Sequence, residues 1–541
     1  MNRADFTTQK EYDIIVIGGG ITGAAVAYDA SLRGLSVALL ERSDFGSKTS
    51  SATSKLIHGG LRYLANFELG LVRESLRERR ILENIAPNFV YPIPNMILTD
   101  TSSLKSKKFF LKAGMILYDI LSFDKFFTWD KSKRLPCHRM LSLKETLKAE
   151  ASTSREGLTG SIVYYDCSSI FPERLTLAFV KSAVSNGTDA ANYTEVNALI
   201  KEGNTITGIR ARDIIRKKNV TINGRVIINC AGPWADHILT LLPGHPHGEV
   251  MRRSEGIHII TKKLVNRHLV SAMTPSGRHV FIIPWRNHTL IGTTDKEYIG
   301  SPDDWKITKQ SIDELINEVN QSFGPALNIT YKDVLFCYGG LRPLVEDQTE
   351  NVYESSRKYE IFDHSAENLN GLITVEGGKY TTSRNLAENV MKLVCRILGI
   401  NDSKCSTTER YLYGCDIEDM EEFIQHIIFK YGNFNSESID YLGRIYGTEI
   451  DEVMKLAVKH KKVTSHVTAE MLARTEYAVR NEMALTLNDI LFRRTGIGTL
   501  GHPGKKTLTE IAAFAAKLLR WDAKQLKQEI AEAEKIFKIP S

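Results

Sequence analysis

Tyr12-Asp-Ile-Ile-Val-Ile-Gly-Gly-Gly-Ile-Thr-Gly-Ala24 is the stretch whose reading decides the fold. Its apolar run, residues 14–17, predicts a buried parallel strand. The turn that follows carries Gly18, Gly20 and Gly23 in G-x-G-x-x-G spacing. Gly18 suits a tight turn, Gly20 lets the backbone approach a pyrophosphate, and Gly23 lets the next helix pack closely on the sheet. The N-terminus of that helix offers N–H groups and a positive dipole end to phosphates. A second apolar strand, residues 36–40, ends at Glu41, where an acid can accept hydrogen bonds from both hydroxyls of an adenosine ribose. Together these features predict a Rossmann-type α/β domain for an ADP-containing dinucleotide. The same spacing recurs at Gly496, Gly498 and Gly501, but after a helix end (Leu491-Phe-Arg-Arg-Thr495) and before His502-Pro503, so it reads as a plain loop.

A chain of 541 residues is too long for one core and implies two or three domains. An apolar fraction of 42% and a charged fraction of 25% belong to a globular protein. A net charge of +6 suits an anionic substrate or an acidic membrane surface without requiring either. Seven cysteines without a C-x-x-C pair argue against a disulfide framework and a zinc site, and for a reducing compartment with no metal. The leader before residue 12 has no apolar core, and no apolar run is long enough to span a bilayer, so neither a secretion signal nor a spanning helix is expected. No nucleic-acid motif accompanies the mild basicity.

Three later stretches extend the theme. Residues 49–64, Thr-Ser-Ser-Ala-Thr-Ser-Lys-Leu-Ile-His-Gly-Gly-Leu-Arg-Tyr-Leu, concentrate hydroxyls and glycines that can wrap a ligand. Val226-Ile-Ile-Asn-Cys-Ala-Gly-Pro-Trp234 reads as a buried strand ending in a Gly-Pro turn. Gly371-Leu-Ile-Thr-Val-Glu-Gly-Gly-Lys-Tyr-Thr-Thr382 reads as a strand, a glycine pair and a helix start. The glycine ends of these strands could meet at one edge of one sheet, where such folds bind ligands. Residues 278–285 and 288–295 read as two strands joined by a turn at Arg286-Asn287. Past about residue 405, Leu472, Tyr477, Val479, Met483, Leu487 and Leu491 recur at helical spacing.

In that order, I-G-G-G-I-T-G-A, the 49–64 segment, N-C-A-G-P-W, I-G-T-T-D, L-R-P-L and G-G-K-Y-T-T resemble the FAD-dependent glycerol-3-phosphate dehydrogenases of aerobic, respiratory type. The resemblance implies α/β plus α architecture. A glutathione-reductase-like FAD domain would draw on residues 10–95, 160–250 and 340–400. A sheet-containing substrate domain would use 96–159 and 251–339, and a helical domain 405–541. It implies FAD held by Gly18, Gly20, Gly23, Glu41, Ser50, Ser51, Ser54, Lys55, His58, Gly59, Gly60, Val196, Ala231, Gly232, Gly378, Lys379 and Thr381. Covalent attachment through His58 is possible in principle, though nothing in the sequence demands it. Arg62, Tyr63 and Arg357 would form a phosphate clamp, arginine binding phosphate through its planar fork. Arg342 and Lys379 would lie by the reacting carbon and the flavin pyrimidine edge. His258, alternating with Ile257 and Ile259 on a strand, is the candidate base, with Arg342 and Lys379 as alternatives.

The implied reaction oxidises sn-glycerol 3-phosphate to dihydroxyacetone phosphate, with hydride transfer to flavin N5. No second nucleotide domain is legible, which leaves a quinone, oxygen or a carrier protein to receive the electrons. Residues 103–134 mix lysines with Phe109, Phe110, Ile116, Ile120, Phe126, Phe127 and Trp129, as an interfacial membrane segment requires. A helix buried at a domain junction would carry the same composition. The resemblance favours ubiquinone or menaquinone and a peripheral position on the cytoplasmic face of the inner membrane, or else the cytoplasm; a homodimer is compatible. Three other readings stay open: an oxygen-using glycerol-3-phosphate oxidase, an amine or amino-acid oxidase of the same flavin superfamily, and a non-catalytic FAD-binding module. Against an amino-acid oxidase stand three arginines, Arg62, Arg342 and Arg357, where a carboxylate needs one fork.

Overall fold

The first apolar run forms the strand Glu11–Ile17. It pairs in parallel with Val37–Leu40 on one side and Lys218–Asn229 on the other. Lys218–Asn229 in turn pairs in parallel with Leu372–Gly377, and Val37–Leu40 with Asp189–Ala191. Period-two alternation explains why these strands are apolar throughout. Ile14, Val16, Leu39 and Ile228 enter one core beneath the helices Ile21–Leu32, Pro172–Ser185 and Ser383–Leu398. Ile15, Ile17, Leu40 and Ile227 enter another beneath the antiparallel strands Thr194–Glu202 and Thr205–Asp213. A sheet covered on both faces needs side chains suited to burial at every position. The computed structural model describes the chain except residues 8–9, 66, 101–107, 154–155, 243–250, 275–276, 345–358, 403 and 461–462, and excludes the side chains of residues 62, 65 and 325.

A second sheet is built mainly of antiparallel pairs. Among the described residues its order runs Lys296–Tyr298, Arg252–Lys262, His288–Gly292, His279–Trp285, Leu269–Met273, Val90–Asp100, Leu158–Ser169 and Leu56–Ile57. Phe336–Leu344 adds to Arg252–Lys262, and Arg139–Ser142 to Leu158–Ser169. The expected two-residue turn is present. Arg286 and Asn287 both take positive φ, 49° and 59°, the geometry that matches strand twist in a tight hairpin.

Sheet membership does not run parallel to the expected ranges. Leu158–Ser169 pairs along its length with Val90–Asp100, so residues 160–169 belong with the second sheet rather than the dinucleotide domain. Phe336–Leu344 does likewise through Arg252–Lys262. Ladder partners distant in sequence drew those boundaries, and local pattern carries no record of them.

Beyond residue 405 the chain is helical, with Met420–Lys430, Ser436–Tyr446, Ile450–Lys459, Ala469–Asn481, Lys505–Leu519 and Ala523–Phe537. The periodic run 472–491 is not one helix. It stops at Asn481, Met483 takes φ 52°, and a π-helical turn follows at Asp489–Arg494. Buried charge explains the break. Glu482 accepts two hydrogen bonds from Arg174, at 3.0 and 2.8 Å, while Arg493 and Arg494 turn back onto Asp44.

Candidate active site

The carboxyl ends of Glu11–Ile17, Lys218–Asn229 and Leu372–Gly377 open into one cavity of about 550 Å³. Gly18 stands at φ 107°, and a Cβ there would lie 2.5 Å from the Cys230 carbonyl oxygen. At Gly23 a Cβ would fall 1.9 Å from the Gly18 carbonyl oxygen, so the helix can approach the turn only as glycine. Glu41 braces the turn from below. Its carboxylate accepts from the Gly19 N–H at 2.8 Å and the Ser43 N–H at 2.7 Å, and burial pushes its pKa up. Two oxygens so engaged keep lone pairs for ribose hydroxyls. Ser50 accepts from the Ile21 N–H at 2.9 Å, tying the wrapping segment to the helix N-terminus.

The far wall carries the charged and titratable groups. His258 is buried, and Ile257 and Ile259 beside it enter the core of the second sheet, so the expected alternation holds. Its ring stacks on Tyr338 at 4.9 Å, its Nε2 shares a 2.9 Å hydrogen bond with Ser54 Oγ, and its Nδ1 has no partner among the described residues. A Cβ on Gly292, its cross-strand neighbour, would sit 2.4 Å from its Cδ2. Burial drives the His258 pKa well below the ordinary value, and the cations Arg342 and Lys55 add to the effect. The imidazole is therefore neutral at neutral pH.

Arg342 lies across Gly256, whose Cβ would fall 1.9 Å from Nη2. Its Nη1 donates to Ser254 Oγ at 3.1 Å and pairs with Asp295 at 3.2 Å, and its Nη2 donates to Thr293 Oγ1 at 2.7 Å. Ser254 also donates to Asp295. The Asp of I-G-T-T-D thus positions an arginine rather than merely filling the wall. Lys379 donates to Ser75 Oγ at 3.2 Å, with its ammonium 3.7 Å from the centre of the Tyr63 ring.

Of the residues expected at the site, Gly18, Gly20, Glu41, Ser50, Ser54, His58, Tyr63, Val196, Ala231, Gly232, His258, Arg342, Gly378, Lys379 and Thr381 line this cavity. The structure keeps others off its walls. Lys55 points into the protein and pairs with Glu173 at 2.7 Å, because an ammonium beside an apolar interior needs a carboxylate. Ser51 donates to the carbonyls of Ser47 and Lys48. Gly59 is packed beneath Leu76 and Tyr118, and Gly60 against the Tyr63 ring, while Gly23 acts through helix packing. The Arg62 side chain and all of Arg357 lie outside the described residues.

Sequence reading missed a cluster at the cavity rim. Arg42 stacks on Trp234 at 4.6 Å and pairs with Asp303 at 2.5 Å, while Trp234 Nε1 donates to Asp303 at 3.0 Å. Arg42 directly follows Glu41, and Trp234 ends N-C-A-G-P-W, so both stood beside recognised motifs. Asp303 had no such signal. Among the described residues no group of three or more His, Cys, Asp or Glu side chains could hold a metal ion.

A family model described as FAD dependent oxidoreductase matches residues 13–384, and one described as the C-terminal domain of alpha-glycerophosphate oxidase matches 405–526. The chain is 37% identical to a glycerol-3-phosphate dehydrogenase of Synechocystis, covering 96% of this chain and 95% of that one. It is 32% identical to the aerobic glycerol-3-phosphate dehydrogenase of Bacillus subtilis, covering 98% and 95%. Among solved structures, the glycerol-3-phosphate dehydrogenase from Bacillus halodurans complexed with FAD superposes with a TM-score of 0.79 at 28% identity, covering 98% of this chain and 95% of that one.

Proposed function

Because the chain belongs to the family of FAD-dependent glycerol-3-phosphate dehydrogenases, within the wider FAD-dependent oxidoreductases, we propose that it oxidises sn-glycerol 3-phosphate to dihydroxyacetone phosphate, with a membrane quinone as final electron acceptor. One observation carries the reading. His258, Arg342, Lys379 and Tyr63 share a cavity with the Gly18–Gly20 turn and Glu41, so a proton acceptor and two cations face the place where a dinucleotide fits.

Gly18, Gly20 and the helix start at Ile21 suit the pyrophosphate, and Glu41 the ribose. Ser54, His58, Ala231, Gly378 and Thr381 suit the remainder of FAD. When bound, FAD supplies the hydride acceptor. The residues of the chain manage proton and charge. Tyr63, with Arg62 and Arg357, holds the substrate phosphate, leaving the secondary hydroxyl toward His258. The neutral imidazole takes the hydroxyl proton, and Arg342 stabilises the negative charge that develops on oxygen. A phosphate dianion offsets the fields of Arg342 and Lys55, so His258 gains basicity only once substrate is present. Lys379, on the cavity wall, would supply positive charge toward FAD when it is bound.

The quinone reading rests on a surface. Helix Lys108–Leu121 buries Met115 and Tyr118 but leaves Phe109 86% exposed, with Phe110, Ile116 and Ile120 also exposed. Phe123, Phe126, Phe127 and Trp129 continue the exposed apolar row. Lys108, Lys112 and Lys131 border it. Residues 103–107 of the expected segment lie outside the described residues. Aromatic groups flanked by lysine suit the interface of an anionic bilayer, which would place the enzyme on the cytoplasmic face of the inner membrane. Among the described residues no helix is long and apolar enough to cross one. The match of residues 405–526 to the C-terminal domain of alpha-glycerophosphate oxidase supports a second reading, in which oxygen takes the electrons.

Anaerobic mixing with sn-glycerol 3-phosphate tests the proposal. Flavin absorbance near 450 nm should bleach with this substrate and not with glycerol or sarcosine. Recovery of colour with a soluble quinone analogue, faster than with air, selects the quinone. Absence of bleaching removes the assigned substrate.

A further inference from the structure

We infer that Arg286 and Arg474 form a binding site for a small oxyanion, phosphate- or carboxylate-bearing, at the joint between the second sheet and the helical region. Arg286 sits at the hairpin turn between His279–Trp285 and His288–Gly292, with its guanidinium 4.7 Å from the centre of the Tyr441 ring. Arg474, on Ala469–Asn481, lies 5.4 Å from the centre of the same ring. Two cations thus lie against one tyrosine ring. Among the described residues neither has a carboxylate within ion-pair distance. Glu173, the acid that acts on Arg286, is already paired with Lys55.

This arrangement departs from the rest of the interior. The buried arginines other than Arg474, namely Arg79, Arg174, Arg253, Arg384 and Arg494, each face an acid. Arg474 is 7% exposed, and among the described residues its Nε and Nη2 are buried without an acid to pair with. Beside it the Tyr441 hydroxyl is buried without a partner among the described residues, and the Tyr446 hydroxyl lies within hydrogen-bond reach of Arg474. Arg286 hydrogen-bonds through Nη1 alone, to the Gly496 carbonyl at 3.1 Å and Thr499 Oγ1 at 2.6 Å. Burial, reinforced by Arg474, lowers the Arg286 pKa, as expected of cations gathered without counter-charge.

Among the described residues the site therefore offers many donors and no paired anion. The aromatic faces of Tyr441, Phe171 and Trp285 offset part of the charge. Water would satisfy the N–H groups but leave the charge. An oxyanion satisfies both, because guanidinium forks match its geometry and tyrosine hydroxyls donate to it. Such an anion would fasten the hairpin to helices Ser436–Tyr446 and Ala469–Asn481.

Thermal unfolding of the FAD-loaded enzyme at constant ionic strength tests this, with chloride replaced by inorganic phosphate in one series and succinate in another. The wild-type Tm should rise by a few degrees with at least one of these anions. Which anion raises it identifies the class. The Arg474→Met variant should lose the response and match or exceed the wild-type Tm in chloride, because an unpaired buried charge has gone. Arg62→Ala should keep the response, which separates this site from the substrate clamp. A flat wild-type Tm overturns the site, as does an anion response lost in Arg62→Ala but kept in Arg474→Met. Should Arg474→Met fail to fold, Arg286→Gln at the hairpin tip gives the same reading.

Discussion

Arg342 lies where it does because Ser254, Thr293 and Asp295 hold its guanidinium and Gly256 leaves room for it. None of these four is needed to contact a substrate, yet the position of the charge depends on them. Replacing Asp295 by asparagine keeps the shape and removes the ion pair. Its kcat on sn-glycerol 3-phosphate should fall by about 10²-fold, with a smaller change in KM and an unchanged flavin spectrum. An unaltered kcat would show that the backbone and hydroxyl oxygens suffice. His258 yields a pH signature. Its folded-state pKa lies well below its unfolded value of 6.5, so the active, neutral form persists into acid. The acid limb of kcat/KM, which reports the free enzyme, should therefore fall below pH 6.5, and His258→Gln should abolish that limb. Stability follows the same sign. Below pH 6.5 the unfolded chain takes up the proton first, so the contribution of neutral His258 declines as pH falls toward the folded value. A wild-type acid limb at or above 6.5 would reassign the base.

Elements position these side chains through glycine as much as through polar contacts. Arg252–Lys262 carries Gly256 under Arg342, and His288–Gly292 ends in Gly292 against the His258 ring. The nearest atoms a methyl at Gly256 would meet are those of the Arg342 guanidinium, the far end of a flexible side chain. Gly256→Ala should leave Tm nearly unchanged yet lower activity by at least about tenfold through a displaced charge, and kinetics beside a melting curve would check it. Helix Lys108–Leu121 shows the opposite use of an element, with its small buried face anchored by a hydrogen bond from Tyr118 to Asp166 at 2.8 Å. The double variant Phe109→Asp, Ile120→Asp should lose co-sedimentation with anionic vesicles while keeping activity on a soluble acceptor. Retained sedimentation would move the membrane contact elsewhere. At this scale the sequence was informative. Strand ends, the glycine turn and the Arg286-Asn287 hairpin follow from local sterics, whereas the break after Asn481 does not, because Glu482 turns inward to meet Arg174 on a helix far away in sequence.

Across the whole molecule, the helical region is locked to the dinucleotide domain by buried charge. Arg493 and Arg494 grip Asp44, three residues past Glu41, and Arg174 joins Glu482 to the Arg494 carbonyl. Glu482→Gln leaves Arg174 short of counter-charge, so it should cost about 3–5 kcal/mol and show as a clear drop in Tm. Charge pairing with arginine holds Asp44 and Glu482 down to about 2, against ordinary values of 3.8 and 4.5. Their contribution is complete above those ordinary values and disappears as pH falls to about 2. Glu482→Gln should flatten this acid loss, and an unchanged slope would show that the pair does not govern it. By itself the sequence determined the dinucleotide turn, the order of motifs, the family and most of the cavity wall, because those depend on backbone sterics and on short stretches that carry their own chemistry. Only the tertiary structure decided that Leu158–Ser169 joins the second sheet, that Lys55 turns away to Glu173, that Asp295 holds Arg342, and that Arg474 meets no acid among the described residues. Each of these depends on which distant groups become neighbours once water is excluded, and a buried charge is settled by its neighbours in space rather than along the chain.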